Sequence, residues 1–476
     1  MGTGDTRSGQ AKFAWSEIPR TEPPKRAVPE RLGDFRAIDL LYDEDTVRAQ
    51  ATRCVQCPNA NCVTACPLGT PIVDLMALTA DGQFKEAAEL LFTSCSLPEV
   101  STRICIGARI CETVCVLAGR SDPVPVQGIA RFLLDYGWNH GLAEPPRAPP
   151  KDQRVAVLGS GICGLVAADM LSRLGYAVTV MDSRQLPGGR VINGLPGFRV
   201  DKIMITRRLE LLRQRGVRFR MGVGWGTEVK LNELRREFDA VFLGFGQADA
   251  VPLEVPGAEL RGVYPADLFV SQNEAGGSAQ SPVEVRGRRV VVLGGGDTAM
   301  DALRVALRRG VREAVCLYRR DQRSMPADAE EYANAREEGA RFLFLSQPVT
   351  VVGNAAGEAT HVRCVRMESS EPDWAGRLGV KPIPGSEFDV PAEVVLVAYG
   401  YTAAKLPRTD EFGDLAVNER GLLLVDADQM TNLPGVFAGG SIVNGSGPLA
   451  QTVRDARTAA AAIDGYLAAR RAPAAA

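Results

Sequence analysis

Eight of the eleven cysteines fall in one short stretch of the chain, between Cys54 and Cys115. The first group reads Cys54-x2-Cys57-x4-Cys62-x3-Cys66, and the second comprises Cys95, Cys105, Cys111 and Cys115. Residues 1–20 contain no apolar run of signal-peptide length, so we expect a cytoplasmic chain whose thiols stay reduced. Reduced cysteines grouped in this way predict metal ligation, by iron–sulfur clusters or by zinc, rather than a disulfide framework.

The length of 476 residues exceeds what one hydrophobic core serves and predicts about three domains. A formal net charge of -2 and a pI near 6.0 give no general attraction for nucleic acid. The most apolar run, at 155–171, is interrupted by three glycines, which argues against a membrane span.

The order of elements predicts an α/β protein with an added helical domain. Residues 1–50 are polar and contain several prolines, which favours an extended arm. Residues 51–150 show apolar positions at helical spacing around the cysteines and end in a proline-rich connector. Two strand–helix–strand units follow, beginning at Arg154 and at Arg289. We therefore predict an N-terminal helical domain followed by two Rossmann-like nucleotide-binding domains.

The first unit carries a dinucleotide-binding motif, Gly159-Ser-Gly161-Ile-Cys-Gly164. The three glycines permit a sharp turn, close approach of a pyrophosphate and close packing of helix on strand. Asp182 ends the following strand, where a carboxylate can accept hydrogen bonds from ribose hydroxyls. Motif, strand context and acid together predict a nucleotide site, although such glycines alone often serve only a turn.

The second unit has Gly294-Gly-Gly296-Asp297-Thr298-Ala299, and its second strand ends in Arg319 and Arg320 instead of an acid. Guanidinium groups at this position suit the 2′-phosphate of NADPH. Two charge-assisted contacts favour NADPH over NADH by about two to four orders of magnitude. The alternative is that both arginines only solvate a loop.

Further short motifs make the similarity to a known family specific. They are Gly188-Gly189, Gly194-Leu-Pro-Gly-Phe198, Asp239-Ala-Val-Phe-Leu-Gly-Phe-Gly246, Tyr318-Arg-Arg320, Met325-Pro326 and Val436-Phe-Ala-Gly-Gly440. From about Ala51 to its last helix the chain resembles the small subunit of NADPH-dependent glutamate synthase. It is also similar to the N-terminal half of dihydropyrimidine dehydrogenase.

The resemblance implies nucleotide domains of the flavoprotein disulfide-reductase type. FAD would bind a discontinuous domain, 151–285 with 385–476, and NADPH would bind 286–384. Beyond the first motif, the residues implied in FAD binding are Gly188, Gly189, Arg190, Gly246, Gly440 and Ser441. Ser441 departs from the family, which usually has an aspartate bonding the flavin ribityl chain; losing that bond costs roughly 1.5 to 3 kcal/mol, of which the hydroxyl recovers part.

For the cysteines the resemblance implies two [4Fe-4S] clusters that exchange ligands. One would be held by Cys54, Cys57, Cys62 and Cys115, and most of the second by Cys66, Cys105 and Cys111. Relatives have an extra cysteine where Ser101 stands, and a Glu or Gln ligand where this chain has Ala130. We hypothesise that Cys95 replaces the missing ligand; the alternative is an idle thiol, with Gln127 or water on that iron.

Zinc is the second interpretation of these thiols, but zinc carries no electrons, whereas a flavin that accepts hydride needs one-electron carriers beyond it. The remaining three cysteines lie in apolar strand or helix patterns and are predicted to be core residues: Cys163, Cys316 and Cys364.

The predicted reaction is NADPH oxidation by hydride transfer to FAD, followed by single-electron transfer through two [4Fe-4S] clusters to a partner. The hydride step needs no acid–base side chain, so we name no catalytic residue; the chain contributes geometry. Glu330 and Glu331 border the nicotinamide or simply begin a helix.

The electron acceptor is not defined by the sequence. A larger redox subunit, with which the chain would form a hetero-oligomer, and a ferredoxin are both compatible with it, as is a diaphorase role in another redox complex. A self-contained disulfide reductase would need a redox cysteine pair beside the flavin, yet the one Cys-x2-Cys is Cys54 and Cys57. A non-catalytic assembly subunit is the alternative that Ser441 and Ala130 suggest.

Overall fold

The computed structural model describes residues 13–105, 110–142, 144–273, 283–372, 378–403, 406–407, 409–445, 447 and 449–471. The helices are α1 (Ala14–Glu17), α2 (Val28–Leu32), α3 (Glu44–Thr52), α4 (Asn61–Ala65), α5 (Ile72–Ala80), α6 (Phe84–Ser94), α7 (Pro98–Ile104), α8 (Val126–Asn139), α9 (Ile162–Arg173), α10 (Gly189–Asn193), α11 (Lys202–Gln214), α12 (Leu231–Glu237), α13 (Ala266–Asn273), α14 (Asp297–Arg308), α15 (Ala329–Glu337), α16 (Ser441–Asn444) and α17 (Leu449–Arg471). The strands are β1 (Arg154–Leu158), β2 (Ala177–Asp182), β3 (Arg218–Met221), β4 (Ala240–Leu243), β5 (Gln247–Ala250), β6 (Val263–Pro265), β7 (Arg289–Leu293), β8 (Glu313–Leu317), β9 (Arg341–Leu343), β10 (Ser346–Gly353), β11 (Ala359–Pro372), β12 (Leu378–Pro382), β13 (Phe388–Pro391), β14 (Val394–Val397), β15 (Tyr401–Ala403) and β16 (Val436–Ala438). Within these ranges no helix combines the length and the apolar character that a bilayer span requires.

Helices α3 to α8 form the helical domain around the cysteines. Their apolar faces meet in one core, in which Leu75 and Met76 of α5 and Leu91 of α6 are buried. Phe84 packs edge-on against Phe132 of α8, with ring centroids 5.1 Å apart. Helical periodicity thus predicted this domain, because the apolar stripe of each helix is what the core buries.

The N-terminal segment differs from the predicted extended arm. Residues 1–12 lie outside the described part, but residues 13–50 contain α1, α2 and most of α3. Asp43 caps α3 by accepting from the Thr46 N–H at 2.6 Å, and Val47 is fully buried. The cap and the apolar face hold α3 in the helical domain, while Arg31 reaches across to Glu337 of α15 at 2.9 Å.

The first nucleotide domain is built on a parallel sheet in the order β16-β4-β1-β2-β3. This is the strand order of a doubly wound fold, with β1 at the point where the order reverses. Residues 155–158 of β1 are completely buried, since α9 and α17 lie against the sheet. The carboxyl ends of β1, β4 and β16 consequently meet along one edge.

The second nucleotide domain has its own parallel sheet in the order β6-β14-β7-β8-β9. It therefore includes β6 and β14, which lie outside the predicted range 286–384. The reason is the all-apolar β14, which pairs with β7 and with β6 and is buried along most of its length. The boundaries near 285 and 385 accordingly move outward to include these two strands.

Two antiparallel sheets complete the fold. One contains β10 to β13, and the turn predicted at 353–357 joins β10 to β11 as a hairpin. The other pairs β5 with β15. These two strands are where the chain leaves the first nucleotide domain and returns to it, so they form the connection between the two domains.

Candidate functional site

The first glycine motif forms a tight loop at the end of β1. Gly159 has φ +102°, and a Cβ added to Gly164 would lie 1.8 Å from the Gly159 carbonyl oxygen. A Cβ added to Gly161 would meet no atom within 4 Å. Gly161 is also the N-cap residue of α9, and no side chain caps that end of the helix. The loop is tight where it packs and open where an anion would sit, which fits a dinucleotide pyrophosphate.

Asp182 lies where the sequence predicted, at the end of β2, and its carboxylate holds the loop. The N–H and the hydroxyl of Ser160 both donate to Asp182 Oδ2 at 2.7 Å. The Arg184 N–H donates to Oδ1 at 2.9 Å. These three bonds leave capacity for another donor on a carboxylate. A ribose contact remains a prediction, and Ser160 is a positioning residue that the motif alone did not reveal.

The second glycine pair packs directly on this loop. A Cβ added to Gly189 would lie 2.5 Å from the Gly161 Cα, and the Gly188 N–H donates to the Ser160 carbonyl at 3.0 Å. Arg190 follows in α10. Gly188 and Gly189 therefore lie against the first glycine loop, and their role in FAD binding stays a prediction.

On neighbouring strands, Gly246 and Ser441 come together across the sheet edge. A Cβ added to Gly246, which has φ +72°, would lie 3.1 Å from Ser441 Oγ. The Gly440 N–H donates to the buried Asp455 of α17 at 3.2 Å. Sequence reasoning missed Asp455, although an acid on the apolar face of the last helix was a detectable signal.

The second glycine loop repeats the same design. Gly294 has φ +129°, and a Cβ added there would lie 2.4 Å from the Ala398 carbonyl oxygen. A Cβ added to Gly296, just before α14, would meet nothing within 4 Å. The Asp297 carboxylate accepts from the Asp328 N–H at 2.8 Å, so it shapes the loop that follows β8.

Arg319 and Arg320 lie in that loop, at the carboxyl end of β8. Arg319 is exposed and Arg320 is half-buried. The loop is shaped internally, because Tyr318 donates to the Ser324 carbonyl at 2.7 Å and the Ser324 N–H donates to Asp321 at 2.9 Å. This placement agrees with a role in binding a phosphate beside the second glycine loop.

One contact chain joins the two nucleotide loops. The Arg190 guanidinium carbon lies 3.3 Å from the centroid of the Tyr401 ring. Burial raises the pKa of Tyr401, and Arg190 lowers it, as does Thr298 at the start of α14. Sequence reasoning did not identify Tyr401, which belongs to the β15 connection. The two loops are therefore held in one site.

A second junction lies beside it. Arg199, which follows the Gly194–Phe198 motif, pairs with Asp301 at 3.1 Å and with Glu331 at 3.2 Å. The Phe198 ring lies under the Arg304 guanidinium, 4.1 Å from its centroid. Glu331 thus forms an ion pair near the start of α15. Glu330 and Glu331 both lie in the first turn of that helix, as one of their two interpretations predicted, and a place beside the nicotinamide stays a prediction.

The first set of cysteines lines one cavity. Its wall includes the four thiols that the resemblance assigned to one cluster, together with that of Cys111: Cys54, Cys57, Cys62, Cys115 and Cys111. Burial raises the pKa of Cys54 to about 11, the Gln56 N–H opposes this, and the thiols of Cys62, Cys57 and Cys115 raise it further. Cavity and thiols suit a group held by several thiolates.

The second set surrounds Cys66. Burial raises the pKa of Cys105 to about 11, with Cys66 as the next cause. Burial also raises the pKa of Cys111, helped by Glu112, Cys105 and Cys66. Cys111 also lines the first cavity and has Cys62 among its neighbours, so it stands between the two sets, and the two ligand sets that the resemblance implies stay a prediction.

No group of three or more His, Cys, Asp or Glu side chains in the described ranges stands at the spacing that holds a metal ion. The eleven cysteines all lie in the described ranges, and none of them forms a disulfide. The three predicted as core residues, Cys163, Cys316 and Cys364, are buried.

Two family models match the chain. The model described as dihydropyrimidine dehydrogenase domain II, 4Fe-4S cluster, matches residues 31–142. The model described as pyridine nucleotide-disulphide oxidoreductase matches residues 153–462. The division between them falls at the proline-rich connector.

Individual proteins show the same similarity. The glutamate synthase [NADPH] small chain of Azospirillum brasilense is 36% identical over 93% of this chain and 94% of its own. AegA of Escherichia coli strain K12, described as an oxidoreductase, is 36% identical over 94% of this chain and 70% of its own. The structure of Mycobacterium tuberculosis FprA in complex with NADPH shares the fold, with a TM-score of 0.56 and 20% identity over 67% of this chain and 86% of that chain.

Proposed function

We propose a function from the premise that this chain belongs to the pyridine nucleotide-disulphide oxidoreductase family, and within it to the group of glutamate synthase small chains. In this function the chain oxidises NADPH and delivers the electrons singly to a partner protein. The observation that carries this proposal is the junction between the two nucleotide domains. Arg190, beside the first glycine loop, stacks on Tyr401, and Arg199 pairs at 3.1 Å with Asp301 of α14, the helix that begins at the second glycine loop. Each loop has a central glycine that faces open space, Gly161 or Gly296. Hydride transfer between two bound nucleotides depends on such fixed proximity.

In this proposal FAD is held by the first domain. The open space at Gly161 would take its pyrophosphate, and Asp182 would accept from its ribose. Gly246 and Ser441, at the ends of β4 and β16, would border the remainder of the cofactor. When bound, FAD supplies the two-electron to one-electron conversion that no side chain can perform.

NADPH is assigned to the second domain, with its pyrophosphate at Gly296 and its 2′-phosphate on Arg319 and Arg320. The Arg319 guanidinium is exposed to solvent. A bound phosphate would exclude water from it and so strengthen the charge-assisted hydrogen bond between the two groups. Asp297 holds the loop that carries these arginines, so its role is to position them.

The helical domain would hold two [4Fe-4S] clusters, for which the matched family model and the two thiol sets are the support. The second set lies toward the FAD domain: Arg457 of α17 donates to the Leu68 and Ser94 carbonyls at 2.6 and 3.1 Å. These carbonyls lie close in sequence to Cys66 and Cys95. We assign the second set to receiving electrons from the flavin side.

The first set would be the exit. Val114 and Val116 flank Cys115 and are 37% and 45% exposed, so an apolar rim surrounds that cavity. An electron-accepting protein can approach this rim without passing through the nucleotide domains. We propose a large redox subunit as this partner, in a cytoplasmic hetero-oligomer, in keeping with the free state of the cysteines.

Delivery to a different redox partner is the second candidate. It is favoured by AegA, an oxidoreductase that matches this chain over 94% of its length without being named a glutamate synthase. Affinity purification of the tagged chain from its host, followed by mass spectrometry, separates the two candidates. Recovery of a glutamate synthase large chain supports the first, and recovery of a different redox protein supports the second.

The core of the proposal is tested by adding NADPH or NADH to anaerobically purified protein in a stopped-flow spectrophotometer. We expect NADPH to bleach the flavin absorbance rapidly and NADH to do so far more slowly. Bound FAD that neither coenzyme bleaches would show the chain to be a non-catalytic subunit.

A further inference from the structure

Cys95 is enclosed in the helical domain and touches Ser101. Its side chain is 2% exposed, and its Sγ atom lies 3.0 Å from Ser101 Oγ. Cys95 directly follows α6, and Leu97, which has a left-handed backbone with φ +53°, is the N-cap residue of α7. The turn folds residue 95 back onto the first part of α7, so positions 95 and 101 face the same small volume.

That volume borders the second cysteine set. Ser101 lies one helical turn before Cys105, and the Cys105 N–H donates to the Ser101 carbonyl at 3.2 Å. The segment after Cys66 lies against the same region, because Arg457 donates to the carbonyls of Leu68 and Ser94 at 2.6 and 3.1 Å. Cys66 is two residues from Leu68, and Cys95 directly follows Ser94. The chain thus brings the segments of Cys66, Cys95 and Cys105 together.

A [4Fe-4S] cluster has four irons to ligate, and Cys66, Cys105 and Cys111 supply three thiolates. Glu112 is the nearest carboxylate to Cys111, but its Oε2 atom accepts from Arg20 Nη1 at 2.8 Å. Its Oε1 atom accepts from the Gln127 N–H at 3.4 Å. A buried carboxylate already neutralised by arginine is a poor candidate for binding iron.

We propose that Cys95 is the fourth ligand of the second cluster, which is therefore held by thiolates alone: Cys66, Cys95, Cys105 and Cys111. The inference rests on the second cluster of the proposed function. Ligation requires the Cys95 thiol to lose its proton to solvent as the Fe–S bond forms. Ser101 then remains as the hydroxyl beside the ligand, 3.0 Å from its sulfur, so a cysteine at position 101 would place a second thiol beside position 95.

The test compares Cys95→Ala, the double variant Cys95→Ala/Ser101→Cys, and the control Cys364→Ala, which removes a buried thiol from β11. Each full-length protein is purified anaerobically. Iron, acid-labile sulfide and flavin are quantified, and EPR spectra are recorded after dithionite reduction. We expect Cys95→Ala to lose the EPR signal of the second cluster while keeping flavin and the first cluster. The double variant Cys95→Ala/Ser101→Cys should regain that signal. The control Cys364→Ala should match wild type.

Three results would overturn the inference. The first is an unchanged EPR signal of the second cluster in Cys95→Ala, and the second is no return of that signal in Cys95→Ala/Ser101→Cys. The third is the loss of flavin and of both cluster signals in Cys95→Ala, which would indicate a packing role for Cys95. Failure of the proposed function is a different result, because the wild-type protein itself would then lack a second cluster.

Discussion

Arg208 and Glu99 form a 2.7 Å ion pair between two domains, and neither side chain has any exposure to solvent. Arg208 belongs to α11 of the first nucleotide domain, and Glu99 belongs to α7, the helix that leads to Cys105. Trp138 of α8 donates to the same Glu99 oxygen at 3.1 Å. Asp169 lies 3.8 Å from Arg208 on the other side. The helical domain is therefore fixed to the flavin side by a buried charge pair.

Removing Glu99 leaves the buried Arg208 guanidinium with only the more distant Asp169 as its counter-charge. We expect Glu99→Ala to lower the free energy of unfolding by about 3 to 5 kcal/mol. Urea denaturation followed by circular dichroism measures this, with Glu210→Ala as the control because Glu210 is a largely exposed acid on α11. Equal stability of the two variants would show that the pair does not hold the domains together.

Alanine substitutions at Gly164 and Gly161 should give different defects, because the space around the two glycines differs. Ala at Gly164 would place its Cβ 1.8 Å from a carbonyl oxygen, so Gly164→Ala should lower the melting temperature strongly. Ala at Gly161 meets open space, and Gly161 has an ordinary φ of -71°. Gly161→Ala should therefore fold normally and lose FAD. Thermal unfolding and flavin content check both, and full flavin content in a folded Gly161→Ala would contradict the assignment.

Coenzyme preference should depend on the loop after β8. Replacing Arg319 and Arg320 by alanine removes two charge-assisted contacts, each worth about 1.5 to 3 kcal/mol. We expect kcat/KM for NADPH to fall by about two to four orders of magnitude while that for NADH changes little. Arg312→Ala is the matched control, because Arg312 is exposed at the opposite end of β8. An equal loss with both coenzymes would assign the arginines to loop structure.

Stability should depend on pH through Asp301. Burial raises its pKa to about 7; Arg199 opposes this, Glu331 and Asp297 raise it, and Arg304 lowers it. The folded protein thus binds this proton more tightly than the unfolded chain, and the contribution of Asp301 to stability falls as the pH rises from the ordinary pKa of an aspartate, about 4, to about 7. The melting temperature of wild type relative to Asp301→Asn should fall between about pH 4 and about pH 7. A constant difference over that range would show that Asp301 does not titrate there.

The sequence predicted those parts of the molecule whose chemistry is local. The glycine loops at Gly159 and Gly294 follow from turn geometry and strand context, and the structure confirms both turns. The grouping of the cysteines followed from spacing and family resemblance. The four thiols assigned to one cluster line a single cavity together with Cys111, and the ligand sets themselves stay a prediction.

Relationships between distant segments could not be read in this way. Ser160 is an unremarkable residue within a motif until the structure shows it bonded to Asp182. Tyr401 gains its role because β15 returns beside Arg190, more than two hundred positions away in the chain. β14 joins the second sheet because an all-apolar strand must be covered on both faces, which overrides a boundary drawn from sequence order.

The central claim, that electrons pass from NADPH through the flavin to the clusters, is tested by EPR of wild type and Gly161→Ala. Both proteins are frozen anaerobically after addition of either NADPH or dithionite. Dithionite should reduce the clusters in both proteins, whereas NADPH should reduce them in wild type and leave them oxidised in the flavin-free variant. A reduced-cluster signal from NADPH without flavin, or none in flavin-loaded wild type, would contradict the account.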